Sequence, residues 1–215
     1  MEDKGKVLIC GLWLEDYRGD YNGIPYVILE PELREHGELW VINDWYAHTP
    51  QITNPDRIWN LHDMENVDCG QLKGRYPGDW QAVYNSRKCP VMVVESHNIK
   101  GLDNPQLLDE KELLKYPVKA LSCSISTMML TAMIEGYTEV SVIGVRLNEE
   151  EYGYQAQGLF NAKEILENNG VKVNMLPEGR FEELKERETA VVDWANIQDL
   201  KPYWAKGYNK VCVSK

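Results

Sequence analysis

The stretch that decides the fold is 122-SCSISTMMLTAMIEGYTEVSVIG-144. A cluster of small hydroxyls, Ser122, Ser124, Ser126 and Thr127, opens an apolar run that turns at Gly136 and Tyr137 into a β-branched segment. An uninterrupted apolar run of this length reads as a buried helix, and the segment after it as a buried strand. A helix start leaves its first backbone N–H groups without carbonyl partners beside the positive end of the dipole, which suits a phosphate or another anion. Ser124 is expected as N-cap or anion ligand, with Ser122 beside it, while Ser126, Thr127, Met128 and Met129 are expected to pack inside.

Outward from this stretch, short β-branched runs alternate with helical patterns, which predicts an α/β fold: a Rossmann-like, mostly parallel sheet with helices on both faces. The expected strands are 6–10, 39–43, 57–61, 91–95, 139–145 and 171–176, with a further strand at 210–213. Helices are expected over 31–36, 79–87, 103–117, 124–135 and 154–169. The last is amphipathic, with Leu159, Ala162, Ile165 and Leu166 on one face and Gly170 as its stop. Residues 1–180 read as one nucleotide-binding domain, and 181–215 as a charged extension packed on it or on a second subunit.

Composition narrows the function. The chain has 215 residues and a formal net charge of −11, with a sequence pI near 4.9. Binding to a nucleic acid backbone or an anionic membrane needs a dense basic surface, so neither is expected as a partner. The five cysteines are scattered, without C-x-x-C or a histidine at zinc spacing, so no metal site or disulfide framework is expected. Their odd number favours a reducing compartment, and no stretch resembles a secretory leader, so a soluble, cytoplasmic protein is expected. Seven Trp and twelve Tyr against two Phe suit half-wet pockets and interfaces.

Four polar sets stand where strands are expected to end, the edge at which open α/β sheets bind ligands. Gly11 begins the glycine-rich loop GLWLEDYRGDYNGIPY, which lacks G-x-G-x-x-G and so carries no dinucleotide fingerprint. Asn43 and Asp44 in WVIND, with Asn60, His62 and Asp63 in DRIWNLHD, read either as contacts to a base, ribose or phosphate or as capping turns. VVESHN places His97 as a general base or ligand donor; Ser96 beside it is not a nucleophile, because neighbouring strand residues point to opposite faces. NEEEYGYQ supplies Tyr152 and Tyr154 for ligand contact. Arg146 reads either as a phosphate or carboxylate contact or as a partner of Glu149 to Glu151.

Taken together, the small hydroxyls and apolar helix, the GY-x-E strand, the E-Y-x-Y-Q helix and the upstream WVIND and DRIWNLHD resemble a set of phage-encoded proteins of unassigned function. That set is similar to bacterial lipooligosaccharide sialyltransferases and to archaeal 6-hydroxymethylpterin pyrophosphokinase-like proteins. The resemblance runs over most of residues 5–180. It implies a Rossmann-like sheet that binds a nucleotide-sugar, without a metal for the chemistry. It places Asn43 at the asparagine that contacts nucleotide, Ser124 at the serine that starts the long helix, and Gly11 where a nucleotide loop begins.

The function expected is therefore a phage-type protein that binds a nucleotide or nucleotide-sugar, as a glycosyl- or nucleotidyl-type transferase with His62 or His97 as the base. The alternatives are a noncatalytic protein that sequesters a nucleotide signal and a structural or assembly accessory. A homo-oligomer is compatible with either.

Overall fold

A computed structural model describes residues 4–12, 20–21, 24–25, 30–62, 79–97, 99–145, 153–176, 201–202 and 204–205. Seven strands form one parallel sheet: β1 (Lys6–Cys10), β4 (Glu38–Ile42), β5 (Arg57–Trp59), β6 (Val91–Val93), β7 (Pro105–Leu107), β8 (Glu139–Ile143) and β9 (Lys172–Leu176), in the order β7-β6-β5-β4-β1-β8-β9. Two short strands, β2 (Asp20–Tyr21) and β3 (Ile24–Pro25), pair antiparallel in a separate ladder. The α/β, Rossmann-like class expected from the alternating pattern is the class observed.

The sequence explains the central strands directly. Val7, Leu8, Ile9 and Cys10 are fully buried, as are Leu39, Trp40 and Val41 opposite them in the β1/β4 register. Strands covered on both faces need such continuous apolar runs. Trp40, Trp45 and Trp59 are also wholly buried, and truncating any one to Ala would cost about 3–5 kcal/mol. Burial pushes the Cys10 thiol strongly up and Cys89 up to about 11, so both stay protonated packing groups.

The described residues fall into two compact units. One comprises residues 7–109 and 143–145. It holds β4 to β7, nearly all of β1, and the helices α1 (Glu30–Leu33), α2 (Trp45–His48) and α3 (Trp80–Ser86). The other comprises 1–6, 110–142 and 146–215, and holds α4 (Glu110–Leu113), α5 (Ser124–Glu135), α6 (Gly153–Asn168) and β9. Most of the expected C-terminal extension, including the strand at 210–213, lies outside the described residues. Trp204 within it is buried, and its indole N–H donates to Glu110 at 3.0 Å.

Two expectations are corrected. The helix expected over 103–117 is instead the edge strand β7 followed by the single turn α4. Pro105 lacks an N–H, but β7 pairs through its flanks: the Asn104 carbonyl accepts from Val91 N–H at 2.9 Å, and Leu108 N–H donates to the Val93 carbonyl at 2.9 Å. The strand expected over 91–95 stops at Val93, and Glu95–His97 forms a 3-10 turn closed by His97 N–H on the Val94 carbonyl. No helix among the described residues is long and apolar enough to cross a membrane.

Candidate functional site

The strand order creates a switch point. From β1 the sheet runs outward through β4, β5 and β6 to β7, and the chain then returns to β8 on the opposite side of β1. Open α/β sheets bind ligands in the crevice beyond the carboxyl ends of strands at such a point. Here the exits of β1 and β8 touch backbone to backbone. Gly11 N–H donates to the Ile143 carbonyl at 2.8 Å, and the place a Gly11 Cβ would occupy is filled by the Gly144 carbonyl. Gly11 is therefore required by close approach.

The next strand ends supply two asparagines. Asn43 follows Ile42, whose register partner is Trp59, and Asn60 follows Trp59. Asn43 has φ +46, a left-handed conformation that asparagine tolerates better than most residues. It is held there by its N–H on the Trp59 carbonyl at 2.8 Å and by the Tyr84 hydroxyl, which donates to its carbonyl at 2.6 Å. Asn60 donates its N–H to the Met92 carbonyl at 3.0 Å and accepts His62 N–H on Oδ1 at 3.2 Å.

After these bonds, Asn43 Oδ1 and Asn60 Nδ2 remain buried with no hydrogen-bond partner among the described residues. Leaving a buried polar atom unpaired costs about 1–3 kcal/mol, so two on neighbouring strand ends demand an explanation. One is an acceptor and the other a donor. Such a pair matches the edge of a heterocycle or an amide.

Asp44, the residue after Asn43, is fully buried, and its Oδ2 lies 3.0 Å from Nε2 of His48, one helical turn later on α2. Aromatic rings pack beside it: Trp45 and Tyr84 at 5.5 Å between centroids, Trp80 and Tyr84 at 5.2 Å, and Trp45 and Tyr46 edge to face at 5.3 Å. Burial and the Asp44 charge both push the Tyr46 phenol up.

Of the residues expected at the site, this unit therefore assembles Gly11, Asn43 and Asn60 at one sheet edge, with His62 half-buried beside Asn60. His97 is buried on its 3-10 turn after β6. Arg146, Asp63, Tyr152 and Glu149 to Glu151 lie outside the described residues. Tyr154 falls in the first turn of α6, and its side chain is outside them as well.

In the second unit, the expected cap is corrected. Cys123, not Ser124, caps α5: its Sγ accepts from Ser126 N–H at 3.4 Å, while Ser126 Oγ accepts from Cys123 N–H at 3.3 Å. Cysteine wins because Ser126 sits at the third helical position, where a reciprocal capping box closes. Ser124 becomes the first residue of the helix and is 7% exposed. Ser126, Thr127, Met128 and Met129 are buried, as expected. Ser122 is buried against α6, where Gly158 leaves no room for a Cβ beside its hydroxyl.

Comparison of the chain with protein-family models, with curated proteins and with solved structures gives no match.

The sequence reading did not pair Asp44 with His48. The signal was present, since Asp44 and His48 stand four apart in WVINDWYAHT, but a four-residue helix is too short for periodicity to reveal.

Proposed function

We propose that the chain binds a nucleotide or nucleotide-sugar at the carboxyl edge of its parallel sheet, with Gly11, Asn43 and Asn60 lining the ligand. The observation that carries this reading is the pair of buried amide atoms, Asn43 Oδ1 and Asn60 Nδ2, on neighbouring strand ends, neither with a hydrogen-bond partner among the described residues. A base edge that offers one donor and one acceptor would satisfy both. The switch-point position of Gly11 supports the same edge. The resemblance of WVIND and of the Ser122–Gly144 stretch to proteins similar to nucleotide-sugar enzymes supports the ligand class.

A thermal-shift screen with nucleoside mono-, di- and triphosphates and nucleotide-sugars tests the reading. A ligand at 100 times its Kd stabilises a protein by about 2.7 kcal/mol, a shift such a screen resolves. At least one nucleotide is expected to raise Tm in the natural chain and to do so much less in Asn43→Ala. A flat response across the panel contradicts the proposal.

A further inference from the structure

The ends of α5 and α6 border a pocket of about 420 Å³ at the amino ends of β8 and β9, a volume within the range of small-molecule sites. The chain leaves α5 at Gly136, with φ +97, and α6 at Gly170, with φ +79. Both exits close in the same way. Gly136 and Tyr137 N–H donate to the Met133 and Ala132 carbonyls, and Gly170 and Val171 N–H donate to those of Glu167 and Leu166. This closure satisfies the inner carbonyls and leaves the outermost ones of each helix for other donors, at the negative ends of two dipoles. Among the described residues that line the pocket there is no Lys, Arg or His, and Glu112 on α4 alone carries a formal charge. Tyr116, half-buried, and Tyr137, buried, supply aromatic rings.

The chain already seats a cation at this rim. Lys4 Nζ lies 5.4 Å from the centroid of the Tyr137 ring and 3.1 Å from the Glu135 carboxylate, and Lys4 N–H donates to the Gly136 carbonyl at 3.2 Å. An ammonium group beside a tyrosine ring and a helix C-terminus is thus an arrangement the fold supports. Lys115 pairs with Glu112 at 2.5 Å, but both side chains are exposed, and an exposed pair contributes little and exchanges readily.

We propose that this pocket is a second ligand site, which takes an organic primary ammonium ion. The ligand's charge faces Glu112 and the two helix ends, its N–H groups donate to helix-end carbonyls, and its carbon skeleton packs on Tyr116, Met133 and Ile134. An anion would meet the same charges with the wrong sign. The pocket shares no residue with the Asn43–Asn60 edge, so either site can fail without the other.

Proton–nitrogen NMR of the full chain tests the proposal, with butylammonium and phenethylammonium chloride as probes and the alcohol of each skeleton as the uncharged control. At least one ammonium ion should shift the backbone amides of Gly136, Tyr137, Gly170 and Val171 saturably, and its alcohol should bind more weakly. Tyr116→Leu should weaken binding about threefold or more, and Glu112→Gln should weaken it as well. Lys4→Met, which removes only a surface ion pair and the competing cation, should leave affinity equal or tighter. Absence of a saturable shift with both ammonium ions, equal binding of the alcohols, or weaker binding in Lys4→Met overturns the proposal. So does unchanged affinity in Glu112→Gln, a reading that stands even where Tyr116→Leu fails to fold.

Discussion

The hydroxyl of Tyr84, on α3, donates a 2.6 Å hydrogen bond to the backbone carbonyl of Asn43, forty-one residues earlier in the chain at the end of β4. Both groups are buried, and the bond helps to hold Asn43 at φ +46 with its side-chain oxygen unpaired. Tyr84→Phe should cost about 1–2 kcal/mol, because it strands the carbonyl without changing the packing of the ring. It should also weaken nucleotide binding by loosening Asn43. Asn43→Gly should behave differently: it tolerates the same φ, removes the unpaired oxygen, leaves stability equal or higher by up to about 1 kcal/mol, and abolishes binding. Urea denaturation alongside thermal shifts with nucleotide separates the two.

Gly11→Ala should be the most damaging small change at the site. Its Cβ would meet the backbone carbonyl of Gly144, which cannot swing aside as a flexible side chain would. Overpacking against backbone should cost about 2 kcal/mol or more. A lowered urea midpoint with an unchanged slope is the expected signature.

The Glu30 carboxylate ties α1 to the loop before β5. It accepts from Thr53 N–H at 2.7 Å, from the Thr53 hydroxyl at 3.0 Å and from Asn54 N–H at 3.2 Å, and it pairs with Arg34 at 3.1 Å. Burial pushes this carboxyl up, but the bonds from Thr53, Asn54 and Arg34 outweigh it, so its pKa is lowered. A depressed carboxyl contributes stability that is complete above its unfolded pKa of about 4.3 and disappears as pH falls through the folded value. Glu30→Gln should therefore lower the urea midpoint at neutral pH and bring it close to that of the natural chain in strong acid. Parallel loss at every pH would show that the charge contributes nothing.

Cys123→Ala should remove the cap of α5 and cost about 1 kcal/mol. Cys123→Ser should keep the capping box, since the hydroxyl accepts the same N–H. Chemical denaturation of the two variants distinguishes a capping cysteine from one that merely fills space.

Much of this fold was legible because the central strands are buried on both faces and so spell themselves as apolar runs. The helix from Ser124 to Glu135 was legible for the same reason, framed by its hydroxyl cluster and by Gly136, which takes φ +97. What escaped was set by tertiary context. Residues 105–107 are all exposed and begin with proline, so nothing local marks them as a strand, and their pairing comes from the neighbouring strand and flanking residues. Cysteine is not a usual cap, and only the position of Ser126 makes Cys123 one. The polar strand ends at Asn43 and Asn60 could be read from sequence as capping or as contact; their unpaired atoms, which favour contact, belong to the assembled sheet.

The most direct measurement is of the Asn60 side-chain amide itself. In a proton–nitrogen NMR spectrum, its NH₂ resonances should move when a nucleotide that raises Tm is added, because Nδ2 gains the partner it lacks among the described residues. In Asn43→Ala the same addition should move them far less. A nucleotide that binds and shifts other resonances while the Asn60 NH₂ pair stays in place would contradict the account and put the ligand elsewhere.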